Sequence, residues 1–418
     1  MNLKNTKIKL KLILIILTFS QFSCTAQNTW RDSSIKKYGF EIDSLNIIGQ
    51  DNLLADFFKQ LQALKNKQNN VVNIIHIGDS HLQTDMATAV IRTQFQTFFG
   101  NAGRGLIVPL RVAKTNEPHS YKTNSLQIWQ SKRCVFPYMP LKIGIGGLTI
   151  KTIDSNASFN INAFNTDKLN YSFNKVKVFY EKNNTSFFLD FIDSQNNIYT
   201  RLRTDLDQKR TNYNLVYLEK ETQNITIKTA KSLAEQNHFT LFGLSLENSK
   251  PGILYHTIGI NGAQYKHYSQ ADYFSEQTKY LQPKLIIISL GTNEAHDTRF
   301  DSTAFYQQID ELIIKLKYHN PNAVFLLTTP ANSYYRKGYN PRLPIITNTI
   351  LTYCSQNQLA FWDLQTATGG EKSANLWRKN RLIGSDGVHY TKSGYELQGN
   401  LFIEALEKSY QKYVAANP

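Results

Sequence analysis

The chain has 418 residues, 41% of them hydrophobic, enough apolar material for a full-sized core and more than one domain. Lys and Arg number 47 against 32 Asp and Glu, a formal net charge of +15. No basic stripe carries regularly interleaved aromatics, which argues against a nucleic-acid surface; the excess suits an anionic cell-wall polymer or membrane face, and serves solubility equally well.

The first 26 residues read as a secretory leader. Lys4, Lys7, Lys9 and Lys11 precede an apolar run from Leu12 to Phe19, followed by a small-x-small site at Cys24-Thr25-Ala26. That run is far shorter than the ~20 residues a membrane-crossing helix needs, and no later stretch reaches that length. The mature protein is therefore expected to be exported, periplasmic or outer-membrane-associated, with no transmembrane segment. Cys24 leaves a lipid anchor open, although Gln21 stands where lipoprotein signals usually carry leucine. Past the leader only Cys134 and Cys354 remain, and a disulfide between them is permitted but not demanded.

Further along, Val71 to Ile77 is a continuous, branched apolar run closed by a glycine, the pattern of a buried strand. Met86 to Phe99 reads as a helix. From about residue 105 to 250 the texture changes to short alternating runs ("KVKVFYE", "TSFFLDFID", "NITIKTA") between Asn, Asp, Ser and Gly turns, which predicts an antiparallel sandwich or jelly roll. After Pro251 strands and helices alternate again. "GILYHTIGI", "KLIIISLG", "AVFLLTT" and "LAFWDL" are strands. Thr303 to Lys317 is a helix with Phe305, Ile309, Leu312 and Leu316 on one face, and Thr391 to Val414 is the last helix. Such alternation implies a mostly parallel sheet covered by helices. The expected plan is a leader over 1–26 and an α/β domain over 27–104 and 251–418, interrupted by a β-sandwich over 105–250.

Chemistry-bearing residues stand at the predicted strand ends. Ser80, in Gly78-Asp79-Ser80, follows the first strand directly, where open α/β sheets bind ligands and helix amides favour negative charge; a serine there also serves as a helix N-cap. Asn293, in "SLGTNEAHD", can donate to an oxyanion or simply make a turn. Asp386 and His389, in "SDGVHYT", have the spacing that lets a carboxylate orient an imidazole. Gly262, in "TIGINGAQY", allows a backbone N–H to approach a substrate closely; "GIGGLT" at 144–149 is a competing glycine run placed in the β-rich region. A Gly-x-Ser-x-Gly hydrolase would need glycine two residues after the serine, and Leu82 is there instead.

Taken in order, Ser80 in Gly-Asp-Ser, a mid-chain glycine, Asn293 in Gly-Thr-Asn-Glu and Asp386-x-x-His389 resemble the four blocks of the SGNH (GDSL-type) hydrolases. The resemblance covers roughly residues 70–104 and 251–418. It implies a flavodoxin-like three-layer α/β/α domain, with Ser80 as nucleophile, His389 as base and Asp386 as its orienter. It further implies an oxyanion hole from the Ser80 N–H, the Gly262 N–H and the Asn293 side chain. A narrower resemblance is to the bacterial peptidoglycan O-acetylesterases. It rests on Gly-Asp-Ser-His with Asp85 soon after, Gly259-Ile-Asn-Gly262-Ala263, and "FWDLQTATGG" before Trp377. Those enzymes also carry an inserted carbohydrate-binding-module-like β domain, and the long separation of Ser80 from Gly262 requires an insertion here. His81-Leu82-Gln83-Thr84 departs from the small residues that follow the serine block in those esterases.

The expected activity is therefore removal of O-acetyl groups from a cell-wall or other extracellular glycan, with no cofactor and no catalytic metal, because no His and carboxylate cluster has ligand spacing. An acyltransferase using the same residues, an esterase of another acetylated polysaccharide, a lipase or arylesterase, and an inactive glycan-binding protein remain alternatives. Asp79 is expected to bond local amides, His81 to be a pocket wall or structural partner, and Asp85 to serve the helix dipole. Phe361, Trp362 and Trp377 are expected to pack the core or pocket rim. The aromatic-rich β segment offers a possible face for glycan contact.

Overall fold

Strands that lack polar alternation must be covered on both faces, and here they stack into one sheet. A computed structural model describes residues 45–68, 70–135, 140–205, 213–336, 338–370 and 373–417; the leader and Cys24 lie outside them. The sheet comprises β1 (Ile48–Gly49), β2 (Val71–Gly78), β3 (Gly252–Gly259), β4 (Pro283–Ser289), β5 (Val324–Thr328) and β6 (Ala360–Trp362), in the order β1-β6-β5-β4-β2-β3. All neighbours run parallel except β1, which pairs antiparallel with β6 at the edge.

Helices cover both faces. On one side lie α1 (Ala55–Lys65), α3 (Met86–Phe99) and α7 (Lys392–Ala416); on the other, α5 (Ser302–His319) packs against α6 (Leu343–Gln356). Two short helices, α2 (Ser80–Gln83) and α4 (Thr292–His296), start at strand ends. The predicted stripe of α5 is buried in full: Phe305, Ile309, Leu312 and Leu316 are at most 1% exposed. Each such side chain contributes about 1.5–3 kcal/mol on leaving water, and Asp301 caps the helix by accepting the Ala304 N–H. The periodicity reading passes over α1 and α6. In α6 the interruption comes from Pro344, which is tolerated only because it sits in the first turn.

The topology positions the loops. From β2 the chain proceeds to β3 on one side and then to β4 on the other, so the strand order reverses beside β2, the point at which open α/β sheets bind ligands. Gly78 lies level with both Gly259 and Ser289. The segments leaving β2, β3 and β4 therefore emerge at the same height, each within a few residues of Ser80, Gly262 or Asn293.

Between α3 and β3 the chain builds two antiparallel sheets. One holds Tyr121–Asn124, Ser158–Ala163, Phe188–Ile192, Ile198–Leu202 and Asn224–Ala230. The other holds Gln130–Arg133, Leu148–Thr152, Phe173–Tyr180, Tyr213–Thr222 and Phe239–Glu247, with Gly105–Ile107 joined to the last of these. Alternate residues point inward, as in Phe159, Ile161 and Ala163, each at most 1% exposed, which is the sandwich pattern. The apolar cluster is continuous from Ile75 and Ile77 of β2 into both sheets. The glycines of "GIGGLT" serve packing: Gly147 faces Ile260 and Tyr268 across the junction with the parallel sheet. Cys134 and Cys354 are free thiols.

Asp85 corrects one expectation. It stands at the N-cap of α3 in a left-handed conformation, φ 58°, and its side chain makes no capping bond. Its carboxylate is instead buried between Arg92, at 2.8 and 2.7 Å, and Arg104, at 2.8 Å, with further bonds from Thr88 and Ser120. Burial alone would raise its pKa; the two guanidiniums overcome it and hold the carboxyl well below the usual carboxylate range. The pairing reaches from α3 to Ser120 at the entrance of the β-rich region, which a dipole role would not require.

Candidate active site

Local rules place Ser80. Asp79 caps α2 by accepting the His81 N–H on Oδ1 at 2.9 Å, and the Leu82 and Gln83 N–H groups return to the Asp79 carbonyl. The turn this makes has room because β3 ends in Gly259: a Cβ there would lie 2.4 Å from the Gln83 nitrogen and 2.6 Å from the Leu82 carbonyl carbon. The cap reading and the strand-end reading of Ser80 are thus both partly met. Asp79 is the cap, and Ser80 is the first helical residue.

His389 comes from the far end of the chain, just before α7. Its Nε2 lies 2.8 Å from Ser80 Oγ, and its Nδ1 lies 2.7 Å from Asp386 Oδ2. An ionised carboxylate only accepts, so Nδ1 carries the proton and Nε2 faces the serine hydroxyl as an acceptor. The other Asp386 oxygen accepts the Val388 and His389 N–H groups. Burial would raise the Asp386 pKa, but these bonds hold it below its ordinary value. The pair is open to solvent, with side chains 44% and 52% exposed.

The other two sequence-predicted residues converge on the same point. Ile260 to Ala263 forms a turn closed by the Ala263 N–H to Ile260 O bond at 2.9 Å. Gly262 has φ +81°, the third-position geometry of a type II turn, which glycine adopts without strain. Asn293 lies in the first turn of α4. Its amide nitrogen donates to Ala263 O at 2.9 Å and, less closely, to Asp79 Oδ2 at 3.3 Å. Asn293 therefore also fastens the glycine turn to the serine turn, a structural duty its motif does not disclose.

Further neighbours surround the pair. His81 is buried, with its ring 5.2 Å from that of His389 and inclined by 30°. Its Nδ1 shares a 3.1 Å hydrogen bond with Tyr395 of α7. Burial lowers its pKa to about 3, so it is neutral and unsuited to act as a second base. On the opposite side His296 contacts Ser333 and the Tyr335 ring, over which Arg342 lies at 5.0 Å. The His296, Ser333, Tyr335 and Arg342 group escaped the sequence reading; its only trace there is the run "NEAHD", where His296 follows Asn293 by one helical turn. Trp377 and Trp362 are core, at 0% and 4% exposure. Burial pushes Asp79 up to about 6 and Glu294 up to about 7; Glu294 accepts the Tyr265 N–H.

The doubly wound sheet thus carries, at one end, a hydrogen-bonded serine, histidine and carboxylate. Residues 232–397 match the sequence model of the GDSL-like Lipase/Acylhydrolase family. The matched stretch includes Gly262, Asn293, Asp386 and His389; Ser80 precedes it, beyond the β-rich region. No curated protein sequence matches the chain. Among solved structures, a peptidoglycan O-acetylesterase superposes with TM-score 0.71 at 23% identity, covering 85% of this chain and 96% of that one. A lipase/acylhydrolase from Enterococcus faecalis (TM-score 0.31, 16% identity, 38% of this chain and 77% of that one) matches a smaller part. So does a catalytic mutant of an acetylxylan esterase from Geobacillus stearothermophilus (TM-score 0.30, 14% identity, 37% and 73%). Among the described residues no helix is long and apolar enough to cross a membrane.

Proposed function

We propose that the protein is an exported esterase that removes O-acetyl groups from a cell-wall or other extracellular glycan, with Ser80, His389 and Asp386 as its triad. The observation that carries the proposal is the unbroken relay from Ser80 Oγ through His389 to Asp386, with bonds of 2.8 and 2.7 Å. Two chain segments distant in sequence meet there, and Ser80 Oγ has no other partner among the hydrogen bonds of the site. In this reading the Ser80 hydroxyl attacks the acetyl carbonyl as His389 Nε2 takes its proton. Asp386 stabilises the imidazolium and keeps the proton on Nδ1. The tetrahedral oxyanion lies against the Ser80 and Gly262 N–H groups, and Asn293 exchanges its longer bond to Asp79 for one to that oxyanion. His389 returns the proton to the departing sugar hydroxyl; water, activated by the same base, then releases acetate. The acetyl-glycan substrate is supported by the fold-level likeness to a peptidoglycan O-acetylesterase, and a glycan chain suits the solvent-open His389 and Asp386. Exposure of the base also favours water over a sugar hydroxyl as the acceptor.

The test is acetate release from O-acetylated peptidoglycan and from acetylated xylan, wild type against Ser80→Ala. Loss of at least ~10³-fold with Ser80→Ala is expected, since residual catalysis survives removal of a triad member. Undiminished turnover by Ser80→Ala would overturn the assignment of the nucleophile. A preference for xylan would overturn the cell-wall substrate while leaving the triad in place.

A further inference from the structure

We propose that Gln83 is a positioning residue through which the β-rich region aims the oxyanion-binding turn. Gln83 belongs to the stretch that departs from the esterase pattern, and it is buried at 3% exposure. Its Oε1 accepts the Asn261 N–H at 2.7 Å. Its Nε2 donates to Thr115 Oγ1 at 2.9 Å, Asn116 O at 2.9 Å and Asn116 Oδ1 at 2.8 Å. The Asn261 side chain closes the ring by donating to the same Asn116 Oδ1 at 2.7 Å. Thr115 and Asn116 are contributed by the β-rich region, from the segment between its strands Gly105–Ile107 and Tyr121–Asn124.

The consequence follows from turn geometry. Asn261 and Gly262 are the two central residues of the Ile260–Ala263 turn, and the peptide between them carries the Gly262 N–H. In type I and type II turns that peptide faces opposite ways. Fixing Asn261 at both its N–H and its side chain selects one orientation. With the Ala263 N–H closing the turn and the Asn261 N–H held by Gln83, the Gly262 N–H remains for a substrate oxygen. Gln83 also sits in the same short helix as Ser80, so one side chain sets the spacing between two proposed oxyanion donors. The β-rich region thereby completes the active site through two side chains.

This rests on the proposed roles of Ser80 and Gly262, and the experiment separates the two. Steady-state kinetics on an acetyl ester are compared for wild type, Ser80→Ala, Gln83→Ala, Asn116→Leu, Asn116→Asp and the Gln83→Ala/Asn116→Leu double variant. Affinity for a tetrahedral boronate mimic is measured alongside. Gln83→Ala and Asn116→Leu are each expected to lower kcat by about 10- to 100-fold, below the ~10²–10³ for deleting a donor because the N–H is misdirected and not removed. KM should stay within about two-fold, boronate affinity should fall in parallel with kcat, and the double variant should be no worse than the single ones. Asn116→Asp keeps the accepting oxygen and should recover most of the loss. Asn116 is exposed on its loop, so its variants read the contact even where Gln83→Ala fails to fold. Wild-type kcat in the Asn116→Leu enzyme, or a loss confined to KM, overturns the inference while an inactive Ser80→Ala leaves the nucleophile intact. An active Ser80→Ala overturns the underlying reading instead.

Discussion

Asp386 touches no substrate atom in the proposed mechanism; its work is to hold His389 in one tautomer and one direction. Replacing the orienting carboxylate of a buried serine triad by an amide costs about 10⁴ in rate. Asp386 is half exposed, so water can supply part of the missing acceptor. Asp386→Asn is therefore expected to lose about 10²-fold in kcat on acetyl esters, with KM nearly constant. A loss under three-fold would remove Asp386 from the relay. The sequence disclosed this pair because its members lie three residues apart around one turn. It could not disclose His81 against His389, or Tyr395 against His81, since those contacts join α2 to α7 and to the turn before it, across almost the whole chain. Gln83 was visible only as a misfit; its partner Asn261 stood within the glycine motif without a role, and Asn116 comes from a loop with no recognisable pattern.

At the level of elements, the design depends on how tightly α2 crosses the end of β3. At Gly259 the neighbours of a new Cβ would be backbone atoms of Leu82 and Gln83, which cannot swing aside as a side chain can. Gly259→Ala must push α2, and with it Ser80, out of line. A stability loss of about 1–3 kcal/mol is expected from overpacking, with activity falling at least ten-fold. Both are measurable by denaturant unfolding and ester turnover, and full activity in Gly259→Ala would show that α2 is not fixed by this contact. Most strands were legible because their branched runs are short and end in Gly or Pro, and the amphipathic α5 because its stripe is regular. The edge strand β1 was not, because two residues carry no period and its pairing with β6 is decided by tertiary packing. Asp85 was misread for a similar reason: its position before a helix suggested the dipole, whereas its charge is set by Arg92 and by Arg104, which lies beyond the helix.

For the molecule as a whole, buried titratable groups determine the response to acid. Burial holds the His76, His81 and His256 imidazoles down to about 3, against an ordinary value of 6.5. As the pH falls below 6.5 the unfolded chain takes up three protons at these positions and the folded one does not, so stability is lost. Asp79 and Glu294 act in the other sense. Raised by burial to about 6 and about 7, they gain protons in the folded state first and return part of that loss. His267, also held down by burial, to about 4, adds to the histidine side, so the lowered histidines outnumber the two raised carboxyls and the balance is a loss of stability toward acid. The melting temperature is expected to fall steadily from pH 6 to about 4.5, and more steeply in Asp79→Asn. A flat or rising profile would contradict the balance.

The buried pairing of Asp85 with two arginines has a consequence for inheritance. One guanidinium belongs to the helix after the nucleophile, the other to the chain's departure into the sandwich, and Ser120 adds a bond from within it. A sandwich spliced in after Arg104 from another enzyme would have to supply again the bonds of Ser120 to Asp85 and of Tyr171 to Arg92. Without them the buried Asp85 carboxylate and the Arg92 guanidinium would each lose a partner in the interior. The β-rich region is thus not freely tradable between relatives: it and the hydrolase around it must be exchanged together or drift together.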